Sequence, residues 1–279
     1  MSRVKRILGL VALTGCRALL GIDDPQPHAD AAIDAPVDAA IDAPPDAPGT
    51  MYQANAVHFD GSSYLARNGL ENTSPSPRGT FSVWIKFDGG DGTLELIAAA
   101  QFAILGGVGR QTDNRLELLM QACGGQPLLD IHSTGTYTTQ SGWIHILAAW
   151  DVSANKAQLY VNDVADLAAN PTITSGSICY DVPAWGLGGV SSGALDADVA
   201  DLYAVLGTFI DLDVPANRAL FSKTGKPVSL GDHCTTPTGH VPTGCFVGAA
   251  NVWGINEGNG GPFTAHGDPL TDALTSPSN

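Results

Sequence analysis

Phe81-Ser82-Val83-Trp84-Ile85-Lys86-Phe87 is the stretch that decides the fold: Phe81, Val83, Ile85 and Phe87 alternate with Ser82, Trp84 and Lys86. Successive side chains leave an extended strand on opposite sides, so a period of two puts the four large apolar groups on one face. The pattern returns in Ile144, Ile146, Ala148 and Trp150. It returns again, after the turn-forming residues 151–156, in Ala157, Leu159 and Val161, with Gln158, Tyr160 and Asn162 on the other face. Two such runs across a short turn predict an antiparallel hairpin. Shorter runs at 56–59, 64–67, 94–99, 102–105, 115–120, 128–132, 185–188 and 199–206, broken by Gly and Asn, continue the series. Strands at this spacing predict an all-β antiparallel sandwich, not alternating βα units. The one helix expected is short, over 215–222, with Asp213 as its cap and Pro215 in its first turn.

Composition sets limits on function. The 279 residues carry 28 acidic and 13 basic side chains, a net charge of −15, and no basic stripe lies beyond the extreme N-terminus. Nucleic acid is excluded as a partner, because neutralising phosphates requires clustered Lys and Arg. Charged residues make up 15% of the chain, against about 25% in an average soluble domain. The few Glu (Glu71, Glu95, Glu117, Glu257) leave little to lace surface helices with Glu to Lys pairs. Hydrophobic residues, at 44%, suffice for a full core.

Outward from the strands, the N-terminal residues change character twice. Arg3, Lys5 and Arg6 precede a short apolar run at 7–13, far below the ~20 residues that span a bilayer as a helix. That order predicts a secretory signal over residues 1–15. Leu13-Thr14-Gly15-Cys16 resembles the lipobox of bacterial lipoprotein precursors. The resemblance implies cleavage before Cys16, a diacylglycerol thioether on its sulfur, and acylation of the new N-terminus, an anchor of several chains that holds stably. Arg17 stands where an Asp is associated with inner-membrane retention, so in a Gram-negative envelope an outer-membrane lipoprotein, open to surface exposure, is expected.

Residues 16–50 then form a disordered tether. Asp30, Asp34, Asp38, Asp42 and Asp46 recur at every fourth position, interrupted by Pro36, Pro44, Pro45 and Pro48. Like charges four apart repel on a helix, and proline removes helix donors, so an extended, self-repelling linker is expected. In a polyproline-like state it would reach roughly 90 Å. The Cys16 to Asp24 opening and the Asp-Ala-Pro repeats resemble lipoproteins of myxobacteria and their relatives.

Residues 51–279 fit one domain. Phe59-Asp60-Gly61-Ser62-Ser63-Tyr64-Leu65, Phe81 to Lys86, Gly142-Trp143-Ile144-His145 running into Trp150-Asp151, Leu159-Tyr160-Val161-Asn162-Asp163 and Asp201-Leu202-Tyr203 resemble the concanavalin A-like, laminin G-like jelly roll over roughly residues 56–222. Pro237-Thr238-Gly239 and the stretch 256–264 resemble the C-terminal strands of phage and bacterial versions of that domain, which would complete the sandwich. The resemblance implies a fold and leaves function open, since this architecture serves lectins, glycosidases, adhesion modules and structural domains alike.

Hydrolysis of glycans normally needs two carboxyl groups flanking the sugar. Jelly-roll glucanases carry them as Glu-x-Asp-x-x-Glu on one strand, and this chain has no two Glu within twenty residues of each other. Asp198 and Asp201 are the alternative pair, but their odd spacing predicts opposite faces of a regular strand. Gly189-Val190-Ser191-Ser192-Gly193 matches the nucleophile elbow in letters, yet it lies between two β segments instead of a strand and a helix, and is read as a loop. No catalytic residue is expected.

With Cys16 given to lipid, four cysteines remain, and an exported protein favours disulfides. Cys234 and Cys245 bracket a short Thr, Pro and Gly loop and are paired first, which leaves Cys123 with Cys179. The competing reading has His233, Cys234, His240 and Cys245 chelating zinc, without the usual close cysteine spacing. His58, His132 and His145 are read as packed or rim residues. The resemblance brings calcium at the sandwich rim as an optional cofactor, and Asp151, Asp163 and Asp201 are available carboxylates, though their spacing selects no ligand set. Of Trp84, Trp143, Trp150, Trp185 and Trp253, at least three are expected in the core, the other reading of an exposed ring being sugar stacking. The expectation is therefore a lipid-anchored envelope protein displaying a lectin-like, laminin G-like domain that recognises glycan or a cell-surface protein. The alternatives are a structural surface domain without a small ligand, or a glycan hydrolase.

Overall fold

The computed structural model describes residues 52–100, 106–189 and 193–279. The lipobox and Cys16, the tether and the strand expected at 102–105 lie outside the described residues. The chain first forms β1 (Ala56–Asp60), β2 (Tyr64–Arg67), β3 (Arg78–Phe87), β4 (Glu95–Ala100), β5 (Gly106–Arg110), β6 (Leu116–Gln121), β7 (Pro127–His132), β8 (Ile144–Asp151) and β9 (Lys156–Val161). Then come β10 (Val164–Ala165), β11 (Thr172–Ile173), β12 (Trp185–Leu187) and β13 (Asp196–Leu206). The last stretch holds α1 (Pro215–Arg218), the hairpin β14 (Ser222–Lys223) and β15 (Lys226–Pro227), β16 (Gly244–Phe246), α2 (Ala250–Trp253), β17 (Thr264–His266) and β18 (Thr271–Asp272).

Two antiparallel sheets face each other. The first runs β10-β9-β8-β3-β13-β1-β18, with β16 also paired to β13, and the second runs β11-β7-β6-β5-β4-β12-β2-β17. Phe81, Val83, Ile85 and Phe87 of β3 and Ile144, Ile146, Ala148 and Trp150 of β8 point inward, where they meet Leu116, Leu118 and Met120 of β6 and Leu129 and Ile131 of β7. The β8–β9 hairpin pairs Trp150 with Ala157 and Ile146 with Val161, and Asp151 caps the 3-10 turn between the strands. The tail adds an edge strand to each sheet, β17 beside β2 and β18 beside β1.

One strand is not read from the sequence, and one expected helix is corrected. Gly106-Gly107-Val108-Gly109 is a central strand, although glycine-rich sequence is poor in β propensity. A Cβ on Gly109 would sit 2.3 Å from the Glu95 carbonyl, and one on Gly107 2.7 Å from that of Ala98, so close passage of β4 requires glycine there. The helix predicted over 215–222 is a single turn, Pro215–Arg218, with Val214 as its cap residue and no side-chain cap. Asp213 instead accepts a hydrogen bond from the Tyr160 hydroxyl at 2.9 Å.

Candidate functional site

Both sheets have an outer face, and among the described residues that of the first is the more fully covered. On the first sheet, Leu147, Ala149, Tyr203 and Val205 point outward and are buried under Ile210, Leu212, Phe221 and Leu230 from the excursion between β13 and β16. Beside them, Trp84 and Ala200 pack against Tyr52, Ala54, Trp143 and Ala273 of the segments that precede β1 and β8 and follow β18. Those terminal segments are tied together, since the Ala54 amide donates to the Ser278 hydroxyl at 2.8 Å and the Ser276 hydroxyl donates to the Ala54 carbonyl at 2.6 Å. His145, on this face, stacks on Trp84 with ring centroids 4.8 Å apart and lies within 2.9 Å of the Ser82 hydroxyl. Burial pulls its pKa down to about 3, so it sits neutral as a packed residue. Trp84, Trp150, Trp185 and Trp253 are all buried, while Trp143 is partly exposed and donates to Thr275. None of the four buried rings is available to a sugar.

The aspartates named from sequence have separate partners and do not converge. Asp151 holds the 3-10 turn and pairs with Arg78 at 2.7 Å, and Asp163 pairs with Arg218. Asp198 lies 2.9 Å from His58 Nδ1 and 3.2 Å from Lys86 Nζ, which also reaches Asp88 at 2.6 Å. The opposite-face argument for Asp198 and Asp201 does not apply, because β13 is not regular there. A bulge between Ala200 and Tyr203 places Asp201 at a positive φ of 46°, and its carboxylate accepts from the Tyr52 hydroxyl at 2.9 Å. Burial pushes the Asp201 carboxyl up to about 7, and its second oxygen has no hydrogen-bond partner. The serine-containing loop is flanked by β12 and β13, two strands, and its residues 190–192 lie outside the described residues.

Cys123 is bonded to Cys179 and Cys234 to Cys245. With both sulfurs committed, the zinc reading of His233, Cys234, His240 and Cys245 falls. His233 Nδ1 instead lies 3.3 Å from the Glu257 carbonyl. The second disulfide pins the excursion that covers the first sheet.

The outer face of the second sheet buries Leu96 and Ala99 of β4 but keeps other side chains partly exposed. At one end Tyr64 of β2 and His266 of β17 are cross-strand neighbours whose rings stack at 4.9 Å and 11°. Toward the other end Glu117 and Leu119 of β6 stand opposite His132 and Asp130 of β7, all four partly exposed. His132 Nε2 lies 3.1 Å from Asp130 Oδ1 and 3.8 Å from Glu117 Oε1. Glu117 also accepts from the Gln111 amide, and burial raises its carboxyl above the ordinary range. The facing oxygens of the two carboxylates lie within 4.8 Å of each other, near the spacing of retaining glycosidases, and the imidazole lies beside both. Sequence reading named His132 without its partners, because the 15-residue separation from Glu117 becomes contact only through the β6–β7 register.

No protein-family model matches the chain, and no curated protein matches it. Solved structures do match in fold. A protein of Bacteroides ovatus provisionally assigned as carbohydrate-binding is 10% identical with a TM-score of 0.54, covering 81% of this chain and 62% of its own. This chain thus spans less than two thirds of that protein. The heptameric SAP-like pentraxin of Limulus polyphemus is 11% identical with a TM-score of 0.50, over 80% of this chain and 96% of its own. Domains LG4-5 of the mouse laminin alpha1 chain are 17% identical over 58% of this chain and 44% of theirs, with a TM-score of 0.42. At these identities the likeness is one of fold, the antiparallel jelly roll.

Proposed function

We propose that this chain is a lipid-anchored protein of the bacterial cell envelope, held at the outer membrane by Cys16 and its acidic tether, and that its jelly roll binds glycan or a cell-surface protein without catalysis. The observation that carries the binding part is the asymmetry of the sandwich. The chain covers the outer face of its first sheet with its own residues, while Tyr64, His266, Leu119, Glu117, Asp130 and His132 remain accessible on the second. Aromatic and polar groups together on a rigid, exposed sheet suit recognition of hydroxyl-rich or protein surfaces. The carbohydrate-binding assignment of the Bacteroides protein is in keeping with this reading. The anchoring part rests on the order of basic residues, apolar run and Leu13-Thr14-Gly15-Cys16.

Intact-mass spectrometry of the protein extracted from its own membranes tests the anchor. The expected mass is that of residues 16–279 plus acyl chains, gaining two hydrogens on reduction for each of the two disulfides. Cys16→Ala should release a soluble, exported protein; a variant that still fractionated with membranes would refute the lipid anchor. Glycan-array binding and pull-down from envelope extracts test recognition, and release of reducing ends from envelope polysaccharide would point to hydrolysis instead.

A further inference from the structure

Among the described residues, three groups bring His, Cys, Asp or Glu ligand atoms within reach of one ion, and they differ in what fills them. In Cys123, Cys179 and Asp181 the two sulfurs are spent in a disulfide. In His58, Asp88 and Asp198 the ammonium of Lys86 already lies between the two carboxylates, at 2.6 and 3.2 Å. In Glu117, Asp130 and His132 no Lys or Arg takes part in an ion pair with either carboxylate. Glu117 accepts from the Gln111 amide, and the imidazole lies beside both carboxylates. Although the Asp130 side chain is 36% exposed, its Oδ1 is shielded from solvent and receives no hydrogen bond, with His132 Nε2 3.1 Å away. A carboxylate oxygen withdrawn from water without a donor is costly, and here it faces a second carboxylate and a ring nitrogen.

We infer that Glu117, Asp130 and His132 bind one divalent cation of the zinc type on the open face of the second sheet. The three ligand atoms lie within 4.8 Å of one another, a spread that small side-chain rotations close to the 2.0–2.2 Å metal bonds of such ions. The scaffold is rigid: Glu117 and His132 are directly paired across β6 and β7, and Asp130 precedes His132 by two residues on the same face. A nitrogen donor with two carboxylates suits zinc, nickel or copper, whereas calcium takes six to eight oxygens. Three protein ligands leave a coordination position open toward solvent, where water or an oxygen of a partner molecule can bind. This inference does not depend on what the face recognises, and its test reads the metal alone.

Isothermal titration calorimetry of the full, untagged chain in detergent with zinc sulfate, and in parallel with calcium chloride, decides it. One saturable zinc site per chain is expected, with calcium binding far weaker. His132→Ala and the near-isosteric Glu117→Gln should each weaken that site by roughly 10- to 100-fold or more, since even outer-shell partners of metal ligands are worth that much. His58→Gln should leave it unchanged. Thermal unfolding of each variant without metal checks that the fold is kept. Absence of a saturable zinc site, a site unchanged in both His132→Ala and Glu117→Gln, or calcium bound as tightly as zinc would overturn the inference.

Discussion

On the first sheet Leu147, Ala149, Tyr203 and Trp84, which point away from the sandwich centre, are buried. Their counterparts on the second sheet, Leu119, Glu117, Asp130 and His132, stay partly exposed. Both sets arise from the same two-residue alternation; what differs is the chain that returns over them. Thirty-odd residues between β13 and β16 and the two terminal segments lie across the first sheet and turn its outer face into a second core. Some of its polar groups are matched within the protein, as in the Asp198 network with Lys86 and His58, while Asp201 Oδ2 and the Tyr203 hydroxyl are buried without a hydrogen-bond partner. What sets the second sheet apart is that Glu117, Asp130 and His132 stand partly exposed to solvent, and this is why recognition and metal binding are assigned to it.

If one outer face is core and the other surface, equivalent truncations must differ sharply. Phe221→Ala, which removes a fully buried ring packed edge-on against Tyr203, should cost about 3–5 kcal/mol in denaturant unfolding. Leu119→Ala should cost less than about 1 kcal/mol, because its side chain is already partly in water. Equal effects would mean that the second face is also covered. Replacing both Cys234 and Cys245 with Ser frees the cover of the first sheet and should cost about 3 kcal/mol by loop-closure entropy, measured against the oxidised protein.

A subtler difference concerns charge. Asp201 is buried on the covered side with its carboxyl raised to about 7, above the ordinary value it takes when unfolded. Between those two values the folded chain holds a proton that the unfolded chain has released, so Asp201 makes stability fall as pH rises from about 4 to 7. Asp201→Asn keeps an oxygen for the Tyr52 hydroxyl and suits the positive φ. It should flatten that slope and stabilise the protein at pH 8 by on the order of 1–3 kcal/mol. Thermal melts across this pH range check it; a variant with an unchanged slope would show that Asp201 is ionised in the fold throughout. Smallest of all, Tyr64→Ala and His266→Ala, on the open face, should change stability by no more than about 0.5 kcal/mol each.

The long strands were legible because each buries one face, so Phe81 to Phe87 and Ile144 to Trp150 carry their alternation openly. The Gly106–Arg110 strand was not, since its glycines answer to the closeness of β4, a property of the neighbour and not of the segment. The bulge at Asp201 was hidden for a similar reason: aspartate reads as an ordinary strand position until its left-handed backbone is seen. The outer cover of the first sheet was invisible as such. Ile210, Leu212, Phe221 and Leu230 are scattered apolar residues in a loop-like stretch, and only the fold shows what they lie against. The Glu117, Asp130 and His132 group likewise exists only in the register of two strands.

The most direct test of the account is capture of ligand by the purified full chain, on glycan arrays and from envelope extracts. It compares the wild type with the paired substitution Tyr64→Ala and His266→Ala, with Leu119→Lys, and with Tyr160→Phe on the first sheet as a control. The account predicts that the wild type and Tyr160→Phe capture the same glycan or surface protein, and that the second-sheet variants lose that capture while unfolding at an unchanged midpoint. Capture that survives every second-sheet substitution, or no capture from either source, would contradict it.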